Sequence, residues 1–309
     1  DGFDHTAACI RKAEIDFEDA AKLQAEEATG EGPVKTGEKL LDVEGLHKYF
    51  DPESQSWYQK YLGERQYVHA VDDVTFSINT GETLGLVGES GCGKSTLGRT
   101  VARLYEPDRG TVLYAGRDVT ESTRRELKDL RADMQIVFQD PFSSLNPRQT
   151  VENIIGRPLE IHDKVGSKAE KHERVTELLE MVGLEEEHSN RYPHEFSGGQ
   201  KQRIGVARAL AVEPEFIILD EPVSALDVSV QAQVINLLMD LQAELDLTYL
   251  FISHDLNVVQ HISDRIAVMY LGELVEMGSV TDVFEPPYHP YTESLLSSIP
   301  RPDPSSERE

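Results

Sequence analysis

The segment that most constrains this chain is Gly88-Glu89-Ser90-Gly91-Cys92-Gly93-Lys94-Ser95-Thr96. Residues 88–95 satisfy the pattern G-x-x-x-x-G-K-[ST] in full, directly after the apolar run 83–87 and before a helical stretch reaching about Leu104. Glycines let backbone N–H groups curl around phosphate oxygens, and the positive end of the following helix adds favourable potential. In that frame Lys94 reaches the β- and γ-phosphates, and the Ser95 hydroxyl is placed to ligate Mg²⁺. A strand–loop–helix of this kind belongs in an α/β fold.

The loop alone defines only a nucleoside triphosphate site, so the rest of the chain must say which kind. Phe216-Ile217-Ile218-Leu219-Asp220-Glu221 is an apolar strand ending in two carboxylates, which are costly to place there without a task. Asp220 would hold Mg²⁺, directly or through water, and Glu221 would polarise an attacking water as general base. Between these two halves lies Ser197-Gly198-Gly199-Gln200, opening an apolar helix that runs to Leu210. Ser197 is a candidate N-cap for that helix, and the two glycines permit close backbone approach to a phosphate.

Further strands are expected at 40–43, 74–78, 135–138, 248–252 and 265–270, with a turn at Asn79-Thr80-Gly81-Glu82. Val234, Leu237, Leu238, Leu241 and Leu245 mark an amphipathic helix, and Val175, Leu178, Leu179 and Val182 a second one amid charges. Strands alternating with helices predict an α/β fold with a largely parallel central sheet. The organisation reads as a tail and linker over 1–37, a nucleotide-binding domain over 38–285 with a helical insertion at about 140–200, and a C-terminal tail over 286–309. Because the first residue is Asp1 rather than Met, a fragment or processed product is expected.

Composition excludes several classes. With 56 acidic residues against 30 basic and a net charge of −26, nucleic acid is not an expected ligand. Arg outnumbers Lys, and an acidic, Lys-poor surface suits a salt-adapted protein as well as an ordinary acidic cytoplasmic one. No apolar run approaches the roughly 20 residues needed to cross a bilayer, so a membrane role would come through partners. Cys9 and Cys92 form no ligand cluster, which fits a reducing compartment. Cys92, near a helix N-terminus, is a candidate low-pKa thiol.

Together these motifs resemble the ATP-binding subunits of ABC transporters, in which the phosphate loop of one subunit and the Ser-Gly-Gly-Gln signature of another sandwich each ATP. The resemblance covers roughly residues 38–309. It implies a P-loop NTPase fold of RecA-like type, carrying an antiparallel β subdomain and a helical subdomain. It implies that Gln139 senses Mg²⁺ and the membrane subunit, that Ser224-Ala225-Leu226-Asp227 communicates across a dimer, and that His254 contacts the γ-phosphate. Phe50 occupies the position of the residue that stacks on adenine, with Tyr49 and Tyr67 as alternatives. Phe196 and Val223 depart from the commonest residues of the pattern without removing a polar group.

A finer similarity is to the oligopeptide/dipeptide importer branch. It is carried by residues 139–148 and 224–233, and by His289-Pro290-Tyr291-Thr292 with Leu295-Leu296 and Ile299-Pro300. The segment between Phe50 and Val68 resembles the second of two paired ATPase subunits. The tail stops short of the cysteine-rich extension frequent in that branch, and residues 5–10 faintly resemble the end of one, as in a chain cut from a fused two-ATPase polypeptide. The implied partners are a second ATPase subunit (a heterodimer, or a homodimer), two transmembrane permease subunits and an extracellular solute-binding protein, placing the chain at the cytoplasmic face of the cell membrane. Nickel or oligosaccharides are the alternative cargoes. A DNA-repair ABC ATPase is opposed by the charge and by the absence of a coiled-coil or zinc insertion between Lys94 and Ser197.

Overall fold

Side chains that alternate along the central strands sort into two separate cores. In the computed structural model, which describes residues 37–51, 67–140, 144–286 and 288–298, strands β3 (Thr83–Val87), β7 (Phe216–Asp220) and β8 (Thr248–Ile252) are buried at every position. Ile217, Leu219, Tyr249 and Phe251 face one cluster, and Phe216, Ile218, Leu250 and Ile252 face the other. Such double-faced burial explains why these strands read as continuous apolar runs. Each fully buried Leu or Ile contributes about 1.5–3 kcal/mol.

These strands lie in a six-stranded sheet of order β10-β9-β3-β8-β7-β6, with β6 at Met134–Val137, β9 at Arg265–Tyr270 and β10 at Glu273–Ser279. All neighbours pair in parallel except β10, which returns antiparallel to β9. Helix α1 (Lys94–Val101) follows β3 and packs on the second core through Leu97 and Val101. The largely parallel α/β arrangement expected from the sequence is present.

A four-stranded antiparallel sheet of order β2-β1-β4-β5 adds to that second core. Its strands β1 (Lys39–Phe50) and β2 (Val68–Asn79) are much longer than the short runs expected at 40–43 and 74–78. The cause is bulging: register shifts between Val43 and Leu46 and again around Lys48 break the period-2 pattern that reveals strands. Strands β4 (Arg109–Tyr114) and β5 (Arg117–Asp118) and helix α2 (Arg124–Asp133) lie in a stretch for which the sequence carried no expectation.

Between β6 and β7 the chain is helical, with α3 (Val151–Ile161), α4 (Lys168–Met181) and α5 (Gly198–Leu210). Val175, Leu178, Leu179 and Val182 are fully buried there, as their spacing requires. Helix α6 (Val228–Leu245) buries Val234, Leu238 and Leu241, but Leu245 is exposed at its end. Short α7 (Leu256–Ile262) follows β8, α8 (Val280–Phe284) follows β10, and α9 (Pro290–Ser297) carries the C-terminal motif. Among the described residues no helix is long and apolar enough to cross a membrane. The tail over 1–36, the excursion over 52–66, Pro141 to Ser143, and Ile299 with Pro300 lie outside the described residues.

Candidate functional site

The phosphate loop closes the β3–α1 junction, and its glycines are required for different reasons. A Cβ on Gly88 would strike the Met269 carbonyl and come within 2.9 Å of Cys92 Sγ. One on Gly93 (φ 114°) would strike the Ala70 carbonyl. Gly91 (φ 84°) faces open space, so there the backbone conformation alone demands glycine. The Gly272 N–H donates to the Cys92 carbonyl at 2.9 Å, tying the loop to the β9–β10 turn. Lys94 is buried, and its Nζ donates to the carbonyls of Gly88 (2.7 Å) and Glu89 (2.8 Å). Gly93, the N-cap of α1, offers no side-chain acceptor to the first turn.

Opposite this loop, β7 ends in Asp220 and Glu221. The Ser95 hydroxyl donates to Asp220 Oδ1 at 2.6 Å, and Arg99 reaches Oδ2 at 3.3 Å. Asp220 is fully buried, and burial pushes its carboxyl pKa up against the lowering effects of Ser95 and Arg99. Glu221 sits at φ 48°, a costly conformation for a side-chain-bearing residue that its neighbours must hold. They do so through its N–H, which donates to the Ile252 carbonyl at 2.9 Å, and its carbonyl, which accepts from Ser224 Oγ at 3.1 Å. Its Oε2 accepts from Gln139 Nε2 at 2.8 Å and lies 3.2 Å from His254 Nδ1. Gln139 and His254 thus meet on Glu221, next in the chain to the Asp220 held by Ser95 and Arg99, while Lys94 is bound by the carbonyls of its own loop.

The signature turn is built differently. Ser197 caps α5 by accepting from the Gln200 N–H at 3.3 Å, while Gln200 Oε1 accepts from the Ser197 N–H at 3.0 Å. This reciprocal box satisfies two otherwise free helix-end donors. A Cβ on Gly199 would collide with Val230, and one on Gly198 would lie 3.1 Å from Leu226 Cδ2. Gly199 is thus small because of its own chain, not only to admit a phosphate. The turn's neighbours are Leu226, of the segment 224–227, and the first turn of α6, which Asp227 caps through the Val230 N–H.

Phe50 packs edge-on to Tyr105 with ring centroids 5.5 Å apart, and the Lys48 ammonium lies 5.4 Å from its ring. Tyr49 is engaged elsewhere: its hydroxyl donates to Asp72 at 3.0 Å and its ring lies 4.3 Å from that of His69. Tyr67 is exposed. The low thiol pKa expected of Cys92 is not found. The side chain is buried in the second core, and burial pushes its pKa up more than the nearby Lys94 lowers it. Sequence reasoning missed Arg99, one turn after the phosphate loop at helical spacing from Ser95, and the contact of Tyr291 with the Glu89 N–H.

Comparison with known proteins places this geometry in a class. Residues 71–224 match the ABC transporter family model, and residues 275–309 match the oligopeptide/dipeptide transporter C-terminal region. The oligopeptide transport ATP-binding protein OppF of Bacillus subtilis is 58% identical over 272 residues, 88% of this chain and 86% of that one. The dipeptide transport ATP-binding protein DppF of Lactococcus lactis is 54% identical over 242 residues, 78% of each. Among solved structures, the dimeric ATP-binding cassette MJ0796 in a post-hydrolysis state with ADP and Pi aligns with a TM-score of 0.68 at 29% identity, covering 78% of this chain and 98% of that one. The chain belongs to the ABC transporter family, as an ATP-binding and ATP-hydrolysing subunit.

Proposed function

We propose that the chain energises import of di- or oligopeptides, and that the network around Glu221 is its hydrolytic centre. The observation that carries the reading is the convergence of Gln139 and His254 on Glu221 Oε2, beside the Ser95–Asp220 pair. With Oε2 engaged, the second carboxylate oxygen is the one to take a proton from water as general base. Lys94 exchanges its two loop carbonyls for phosphate oxygens, and His254 pivots from Glu221 toward the γ-phosphate. Ser95 and Asp220 suit Mg²⁺, being hard oxygen donors 2.6 Å apart, and Asp220 is a buried carboxylate favoured by a cation; Gln139 would add its amide oxygen. Bound there, the ion would neutralise charge developing on the phosphates.

The signature turn has no acid or base of its own, which supports its facing the nucleotide of a second ATPase subunit. Heterodimer pairing, two permease subunits docked near Gln139 and the helical region, an extracellular binding protein, and a position at the cytoplasmic face of the membrane complete the reading. Peptide cargo is supported by the relatives' names and by the match of the C-terminal region. Glu221→Gln is expected to keep ATP binding and lower turnover at least about 100-fold. Hydrolysis close to wild type in that variant would reject Glu221 as the base.

A further inference from the structure

Helix α9 reaches the phosphate loop through one side chain. Tyr291 Oη accepts a hydrogen bond from the Glu89 N–H at 3.0 Å, across 202 positions of sequence. That N–H and the Gly88 carbonyl belong to a single peptide unit, and the carbonyl accepts from Lys94 Nζ at 2.7 Å. The plane is therefore gripped at both ends, by the C-terminal helix on one side and by the phosphate-binding lysine on the other. Its only soft motions are rotations about the bonds flanking it, one of them on glycine, and each grip opposes them.

Tyr291 is itself fixed in place. Its ring lies against Tyr270, at the end of β9, with centroids 4.3 Å apart. Thr292 is fully buried, Leu295 and Leu296 pack against the larger core, and the His289 N–H donates to Glu276 Oε2 at 3.2 Å. From the adjoining β9–β10 turn, Gly272 also holds the Cys92 carbonyl. The amide that Tyr291 occupies precedes the start of α1, so its hydroxyl does not compete for the helix-end donors that face phosphate.

We propose that Tyr291 is a positioning residue for the phosphate loop: its hydroxyl holds the Gly88–Glu89 peptide in the orientation that carries Lys94, so docking of the C-terminal segment raises affinity for nucleoside triphosphate. The inference rests on the reading of Lys94 as a phosphate ligand. It gives the C-terminal region a task at the nucleotide end of the molecule.

The test uses the full chain with four variants: Tyr291→Phe, Tyr291→Ala, Tyr270→Phe and Lys94→Ala. Tyr291→Phe keeps the ring packing and removes only the acceptor. It is expected to weaken ATP binding about three- to tenfold, the range of one neutral hydrogen bond. In the assembled transporter it raises the KM for ATP with kcat within about twofold of wild type. Amide exchange at Glu89 speeds up, and the melting temperature falls by no more than about 4 °C, the cost of one hydrogen bond. Tyr270→Phe is expected to match wild type, and Tyr291→Ala to lose thermal stability as well. ATP affinity and Glu89 exchange unchanged in Tyr291→Phe, while Lys94→Ala has lost binding, would overturn the role of Tyr291 alone. If Lys94→Ala binds ATP as wild type does, the phosphate reading fails and this inference with it.

Discussion

The phosphate-loop region and the signature turn are both glycine-rich segments that open a helix, yet they solve opposite problems. Around the phosphate loop, Ser95 pairs with Asp220, and Gln139 and His254 with Glu221, across segments far apart in sequence, while Lys94 is held by its own loop. Around the signature, Ser197 and Gln200 satisfy each other within a single turn, and the glycines rest on Leu226 and Val230. The first region holds buried charge that only the sheet can assemble. The second is a locally rigid turn whose own four residues, 197–200, carry no acid or base. Under the proposed function a chain with one of each carries a catalytic half and a docking half, and the chemistry of the first should be separable from the rigidity of the second.

The largest effect expected on that contrast comes from Asp220→Asn. Loss of the carboxylate that faces Ser95 is expected to cut hydrolysis at least about 100-fold. The same change should stabilise the nucleotide-free chain, because a carboxylate whose pKa is raised in the folded state works against folding once ionised. The wild-type contribution is fully present below the ordinary value of 3.8 and is lost as pH rises through the raised folded value. At neutral pH the nucleotide-free Asn variant should therefore have a higher melting temperature than wild type. A lower melting temperature would mean that the Ser95 and Arg99 bonds outweigh the cost of burial.

A smaller effect, on the other side of the comparison, separates the two signature glycines. Gly199→Ala drives a methyl group into Val230 and is expected to cost about 1–3 kcal/mol by overpacking. Gly198→Ala meets only the end of the Leu226 side chain at 3.1 Å, so its melting temperature should stay close to wild type. If the signature turn meets a partner's nucleotide as proposed, hydrolysis by the assembled transporter should nevertheless fall in Gly198→Ala, because the added methyl presses on Leu226 beside that turn. Full activity in that stable variant would remove the docking role from Gly198.

What could be read in advance follows the same division. The phosphate loop, β7 and β8 were legible because a dense local motif follows or precedes a strand buried on both faces. The N-cap role of Ser197 was legible because a serine directly before an apolar helix is a local signal, whereas the return bond to Gln200 was not read. The bulged ends of β1 and β2 were not, since two residues opposing one erase the alternation. Helix α2 went unread although Thr123 and Glu126 form a capping box, because it buries only Leu130 and presents no apolar stripe. The bonds from Arg99 to Asp220 and from Tyr291 to Glu89 depend on tertiary proximity, which spacing does not encode.

Cys92 is the residue on which the two kinds of information disagree, and it yields the smallest of the expected effects. Its place just before a helix start and 3.9 Å from Lys94 Nζ argues for a stabilised thiolate. Its burial, with Gly88 packed close enough that a Cβ would come within 2.9 Å of Sγ, argues for a neutral thiol, and burial dominates. In a Cys9→Ser background, alkylation by iodoacetamide at neutral pH should be slower than that of a free cysteine, because burial disfavours the thiolate. The rate should keep rising with pH beyond the ordinary thiol range, without levelling off near neutrality. A plateau below pH 7 would show that the helix end and Lys94 prevail over burial.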